Sequence, residues 1–129
     1  MNTQTTNPSS PTKNVLIVED DFDIRDLLVF VLNSNGYRAT GVSNGQEAIS
    51  HLRQTRETSL ILLDLMMPIM DGWEFRQAQQ GDPALGQIPV VVLSAIDEVR
   101  EQGGTLQAAS YLCKPIDFGV LLETVGRYC

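Results

Sequence analysis

Lysine is almost missing from this chain: seven of its nine basic residues are arginine, and the two lysines are Lys13 and Lys114. Cysteine is equally scarce, with only Cys113 and Cys129. Two thiols are too few to staple a small secreted fold, so a reduced cytoplasm is the simplest reading. No apolar run approaches the length of a membrane span; Val90 to Leu93 is typical of the longest. Met1 to Thr12 is polar and lacks the apolar stretch of a secretory signal. Positive charge is also short overall, with 9 basic against 16 acidic residues and a net charge of -7. That balance argues against a nucleic-acid surface, which works by neutralising phosphates with Lys and Arg. What is present is 129 residues, 43% apolar and 19% charged. One domain of this size buries enough surface for a core without disulfides.

Residues 1–13 read as a disordered polar tail, and 14–129 as the folded domain. Three apolar runs stand out: Val15 to Val18, Leu60 to Leu63, and Val90 to Leu93. Continuous apolar runs of this length suit strands covered on both faces. Weaker strand signals lie at Tyr37 to Val42 and Ser110 to Cys113. Helical periodicity follows each strand. Ile24, Leu27, Leu28 and Val31 form one stripe; Ala48, Ile49 and Leu52 a second; Phe118, Leu121, Leu122, Val125 and Tyr128 the last. Another helix begins near Trp73, and a weaker one after Ser94 is interrupted by Gly103 and Gly104. Asp21 is a candidate helix cap and Gly36 a candidate stop. The order is βα repeated five times, which predicts an α/β fold with a parallel sheet between two helical layers.

Ligands of such sheets bind at the carboxyl ends of the strands. The polar residues there are Glu19, Asp20, Asp21, Asp64, Ser94 and Lys114. Acidic oxygens brought together repel one another unless a cation neutralises them. Hard oxygen ligands with room for water suit Mg²⁺. A hydroxyl and a fixed ammonium beside them complete a set that can bind a phosphoryl group, and an Asp carboxylate can act as its nucleophile. Each residue alone has a bland reading: Asp21 as a cap, Ser94 as a turn residue, Lys114 as the extended residue before a proline. Their placement at the ends of separate predicted strands favours the joint reading.

These same residues carry a resemblance. VLIVEDD (Val15 to Asp21), LILLDLMMPIMDG (Leu60 to Gly72), VVVLSA (Val90 to Ala95) and YLCKP (Tyr111 to Pro115) resemble the receiver domain of bacterial two-component response regulators. The motifs are spaced by 44 residues from Asp20 to Asp64, 30 to Ser94 and 20 to Lys114. The resemblance implies a doubly wound, flavodoxin-like (βα)5 sheet of order 2-1-3-4-5. It implies that Asp64 accepts a phosphoryl group from a sensor histidine kinase or a histidine phosphotransfer protein. Mg²⁺ (or Mn²⁺) would be held by Asp20, Asp64 and the backbone carbonyl of Met66, with Glu19 acting through water. Ser94, the backbone of Ala95, Lys114 and Tyr111 would be the phosphate-binding and switch residues, and the Lys114–Pro115 bond would be cis. Met66 and Ile96 would flank the path of hydrolytic water; both are apolar, which implies slow self-dephosphorylation. Such a domain is a signalling switch rather than an enzyme, catalysing only its own phosphorylation and slow dephosphorylation. With nothing after Cys129, it would act on a downstream target protein or in a phosphorelay, in the cytoplasm, away from membranes, as a monomer or weak dimer.

A rival resemblance is to small phosphatases of the haloacid-dehalogenase type, through Asp21 and Asp23. It leaves Asp64 and its loop unexplained. No glycine-rich phosphate loop follows any strand, so a flavodoxin-like cofactor binder is disfavoured. His51 lies off its helix stripe and is expected to be exposed. Met66, Met67 and Met70 are expected to pack in their loop, Cys113 to fill a strand, and Cys129 to be an exposed thiol.

Overall fold

The computed structural model describes residues 13–55, 57–67, 69–94 and 108–129. The expected polar tail, the interrupted helix after Ser94, Ala95 and Ile96 lie outside these residues. The three apolar runs form the centre of the sheet as β1 (Asn14–Val18), β3 (Thr58–Asp64) and β4 (Val90–Ser94). β2 (Arg38–Val42) and β5 (Ser110–Cys113) flank them. All neighbours pair in parallel, in the order β2-β1-β3-β4-β5. Fold class and strand order are those the sequence implies.

Side chains alternate along the strands into two cores. Leu16, Val18, Ile61, Leu63, Val90 and Val92 point to one side, against Ala48, Ile49 and Leu52 of α2 (Gly45–Gln54) and Phe75 of α3 (Gly72–Gln80). Val15, Ile17, Leu60, Leu62, Val91 and Leu93 point to the other. There they meet Leu28 and Leu32 of α1 (Phe22–Ser34) and Leu121 and Val125 of α4 (Phe118–Tyr128). The chain therefore leaves β1 into one layer and β3 into the other, and the ends of these two adjacent strands bound an open crevice.

Short polar side chains start each helix at that same rim. Asp21, Asn44, Asp71 and Asp117 accept hydrogen bonds from the backbone N–H groups of Ile24, Glu47, Glu74 and Val120 at 2.9–3.0 Å. Each cap satisfies a donor that the helix itself leaves free. At α3 the cap is reciprocal, since Asp71 N–H donates to Glu74 Oε1 at 3.1 Å. On the opposite rim the buried Gln79 amide donates to the carbonyls of Leu85 and Ile88 and fixes the loop into β4.

Several local expectations shift. The stripe of α1 runs through Leu28 and Leu32 rather than Leu27, which is 47% exposed. Leu27 lies on the flank where the layer meets solvent. The second strand starts at Arg38, one residue later than its apolar signal, because Tyr37 turns into the α1 core instead. Cys113 fills no core: it ends edge strand β5 exposed. Cys129 is half-buried, and burial pushes its thiol above the ordinary value. His51 is half-buried in the last turn of α2. Met67 and Met70 pack against the core, whereas Met66 is 61% exposed.

The loop after β3 closes at Gly72, whose N–H donates to Leu65 O at 3.0 Å. A Cβ there would stand 2.7 Å from Leu65 Cα and 2.8 Å from Asp64 O. Both obstacles are backbone, so neither can swing away. Gly72→Ala is expected to destabilise the fold by about 2–3 kcal/mol, read as a lower urea midpoint, since overpacking a close contact costs this much. An unchanged midpoint would show that the loop has other room.

Candidate functional site

The strand register decides which residues meet in the crevice. Val18 pairs with Leu63, so Glu19 and Asp64 leave neighbouring strands side by side. Glu19 N–H extends the ladder by donating to Val42 O at 3.0 Å. On the far side Ser94 pairs with Cys113, and Lys114 N–H donates to Ser94 O at 2.9 Å. The Lys114 ammonium then reaches back over the end of β4. It lies 2.9 Å from Glu19 Oε1 and 3.1 Å from Asp64 Oδ1. The bond between Lys114 and Pro115 is cis.

Both carboxylates are buried, Glu19 at 1% and Asp64 at 4% exposure, whereas Asp20 is exposed beside them. One oxygen from each of the three lies within 4.8 Å of the others. Three carboxylates facing one ammonium leave a surplus of negative charge, an arrangement that a hard divalent cation relieves. Burial first, and then the neighbouring Glu19 charge, push the Asp64 carboxyl from 3.8 up to about 7, with Lys114 opposing both. Burial draws the Lys114 ammonium down, but its bonds and charges toward Glu19 and Asp64 outweigh this and hold it above the ordinary lysine value.

Ser94 is 1% exposed, and its Oγ has no hydrogen-bond partner among the described residues. A buried hydroxyl left without a partner costs about 1–3 kcal/mol. It therefore answers well to an incoming acceptor such as a phosphoryl oxygen. Tyr111, two residues before the end of β5, is half-buried against the core on the α2 and α3 side. Met66 follows Asp64 by two residues in the exposed loop. Asp20, Glu19, Asp64, Ser94 and Lys114 are thus brought to one rim, as their positions at strand ends imply. Asp21 is occupied as the cap of α1, and Asp23 is exposed in its first turn. Neither belongs to the acidic cluster, and nothing favours the phosphatase alternative.

One residue at the site has no distinctive signal in the sequence. Arg25 of α1 donates from Nη1 to Glu19 O at 2.9 Å and to Asp20 O at 3.4 Å. An arginine on a helix flank ordinarily reads as a solvated charge. Only the glycine opposite it on β2, Gly41, hints that its stem is packed.

The response regulator receiver domain family matches residues 15–126. The polar-differentiation response regulator DivK of Brucella anthropi is 33% identical over 120 residues, covering 90% of this chain and 95% of that protein. The transcriptional regulatory protein HprR of Escherichia coli is 34% identical over 113 residues, covering 86% of this chain but 49% of that protein. This chain thus spans about half the length of that relative. Among solved structures, the chemotaxis response regulator CheY4 of Vibrio cholerae superposes with a TM-score of 0.83 at 28% identity, covering 92% of this chain and all of that one (100%). The receiver domain of the sensor histidine kinase PA1611 of Pseudomonas aeruginosa, with a magnesium ion coordinated in its active site cleft, gives 0.83 at 26% identity, covering 92% and 98%. The chain belongs to the response regulator receiver domain family. It is a phosphoacceptor signalling switch of the two-component type rather than a conventional enzyme, and its acidic cluster fits Mg²⁺.

A stability signature follows from the raised Asp64 carboxyl. Without metal, the folded chain keeps the Asp64 proton up to about pH 7, whereas the unfolded chain loses it near 3.8. The folded state binds more protons between these values, so this group's effect is to lower stability as pH rises through that window. In EDTA, Asp64→Asn is expected to match the wild type near pH 4 and to exceed it by about 1–3 kcal/mol above pH 7, by urea denaturation. A stability difference that does not grow with pH would contradict the assignment.

Proposed function

We propose that Asp64 receives a phosphoryl group from a phosphohistidine of a sensor histidine kinase or a histidine phosphotransfer protein. The observation that carries this reading is the Lys114 ammonium bridging buried Glu19 and Asp64 beside Asp20. A carboxylate oxygen of Asp64 bonds to phosphorus as the N–P bond breaks, and that electron pair returns to the leaving imidazole. Asp20, Asp64 and the Met66 backbone carbonyl would hold Mg²⁺ (or Mn²⁺), with Glu19 acting through water; the bound cation supplies neutralisation of the phosphoryl oxygens. Lys114 supplies a fixed positive charge at the same place. A divalent cation also favours the ionised Asp64 carboxylate, which is the nucleophilic form.

The switch then rests on the unpartnered hydroxyl. Phosphorylation adds acceptor oxygens beside Ser94 and Lys114, a set to which the family resemblance adds the Ala95 backbone. Ser94 turns to the phosphoryl group, and Tyr111 moves into the space it leaves. Two packings of one core thus differ by a few contacts, which is enough to shift a population. The altered surface is read by a downstream target protein, or the phosphoryl group passes on in a relay. We place the chain in the cytoplasm, as a monomer or weak dimer; no helix among the described residues is long and apolar enough to cross a membrane.

Incubation with acetyl phosphate and Mg²⁺ is expected to add one phosphoryl group per wild-type chain by intact mass, and none to Asp64→Asn or in EDTA. Labelling that survives Asp64→Asn but is lost in Asp21→Asn would restore the phosphatase reading. By the family resemblance Met66 and Ile96 are the positions that flank the path of hydrolytic water, and both are apolar, so the purified phosphorylated chain is expected to keep its label for minutes or longer with Mg²⁺. A half-life of seconds would remove these two side chains from the account.

A further inference from the structure

Lys114 holds the Glu19 carboxylate, but the backbone of the acidic corner between β1 and α1 has few restraints of its own. Glu19 N–H is held by Val42 O, and Asp21 N–H by Glu19 Oε2 at 3.2 Å. The Asp20 side chain is exposed, so its direction depends on its backbone. Arg25 supplies what is missing. Its Nη1 spans the carbonyls of both acidic residues, at 2.9 and 3.4 Å. The guanidinium lies over the Phe22 ring, 5.4 Å from its centroid. The stem crosses β2 at Gly41, where a Cβ would stand 2.7 Å from Arg25 Cγ and 3.0 Å from Cδ. Gly41 has no positive φ, so what it provides is room rather than an unusual backbone. β1, α1 and β2 are joined through one side chain.

We infer that Arg25 is a positioning residue of the metal site: seated against the bare backbone of Gly41, it clasps the Glu19 and Asp20 carbonyls and fixes the backbone from which both carboxylates project before a cation arrives. The inference rests on the reading of Glu19, Asp20 and Asp64 as a divalent-cation site. Its sign separates it from a simple charge effect. A guanidinium repels Mg²⁺, so removing it tightens binding if charge alone matters. Removing it loosens binding if the clasp matters, since partners that orient metal ligands are typically worth about 10–100-fold in affinity.

The test is Mg²⁺ titration of the full chain by calorimetry, with MgCl₂ as the only ligand. Arg25→Met keeps the apolar stem and removes the donors; it is expected to bind Mg²⁺ about tenfold more weakly. Arg25→Lys, with the charge and one reachable donor head, is expected to fall between. Equal or tighter binding by Arg25→Met would overturn the inference. Gly41→Ala should weaken binding in the wild-type background by unseating the stem, and add little loss in Arg25→Ala, where only Val29 Cγ2 at 3.2 Å still crowds the new methyl; fully additive losses would overturn the part given to Gly41. Asp20→Asn is the control for the site itself: a wild type that binds no better than Asp20→Asn sinks the metal reading and the inference with it. The clasp is also read without metal, by faster hydrogen exchange of the Asp21 amide in Arg25→Met. An unchanged exchange rate in a variant that still folds would show that the corner holds itself.

Discussion

One ammonium group between two buried carboxylates organises this molecule. Lys114 comes from the end of β5, whereas Glu19 and Asp64 come from β1 and β3. Strands lie about 4.8 Å apart, so β5 stands roughly two strand widths from β3. Only a long side chain crosses that distance, and it does so over the end of β4, where the small Ser94 stands. Removing the ammonium would leave two acidic groups buried side by side with no cation to offset them. Removing the carboxylates would leave a half-buried lysine with nothing to offset its lost hydration. Each of the three therefore justifies the burial of the others, and the strand order 2-1-3-4-5 is the arrangement that lets them meet.

The balance is deliberately incomplete. Asp20 adds a third negative charge that Lys114 does not reach, and Ser94 holds a hydroxyl with nothing to bond among the described residues. Surplus negative charge beside buried Glu19 and Asp64, and an unpaired hydroxyl on buried Ser94, are both costly. Both are answered by the same kind of guest, a divalent cation together with a phosphoryl group. The resting site is thus a set of unmet interactions held in place by a stiff sheet, and its chemistry consists of meeting them.

Much of this was readable in the residues. Continuous apolar runs located β1, β3 and β4 because strands covered on both faces have no polar phase to confuse the period. The rule that ligands gather at strand ends picks out Glu19, Asp20, Asp21, Asp64, Ser94 and Lys114; of these, Asp21 serves as the α1 cap instead. The receiver resemblance supplies the strand order, which the sheet has, and the role expected of each group. Legibility faded at the edges. Leu27 fits the α1 period as well as Leu28 does, and only the width of the covered stripe decides between them. Cys113 continues the apolar signal of β5, but an edge strand has an open side that sequence does not mark. Arg25 was invisible for a different reason. Its partners are backbone carbonyls, which every residue carries, so no spacing or residue type announces the bond.

The two rims of the sheet have separate duties. Helix caps, acidic corner, hydroxyl and lysine all gather at the rim where strands end. The other rim holds turns such as the one fixed by the buried Gln79 amide. Those turns stand a full strand length away from the reactive carboxylate. Length or decoration added on that remote side would stand a whole strand away from the phosphoacceptor, which leaves that side the freer of the two to vary.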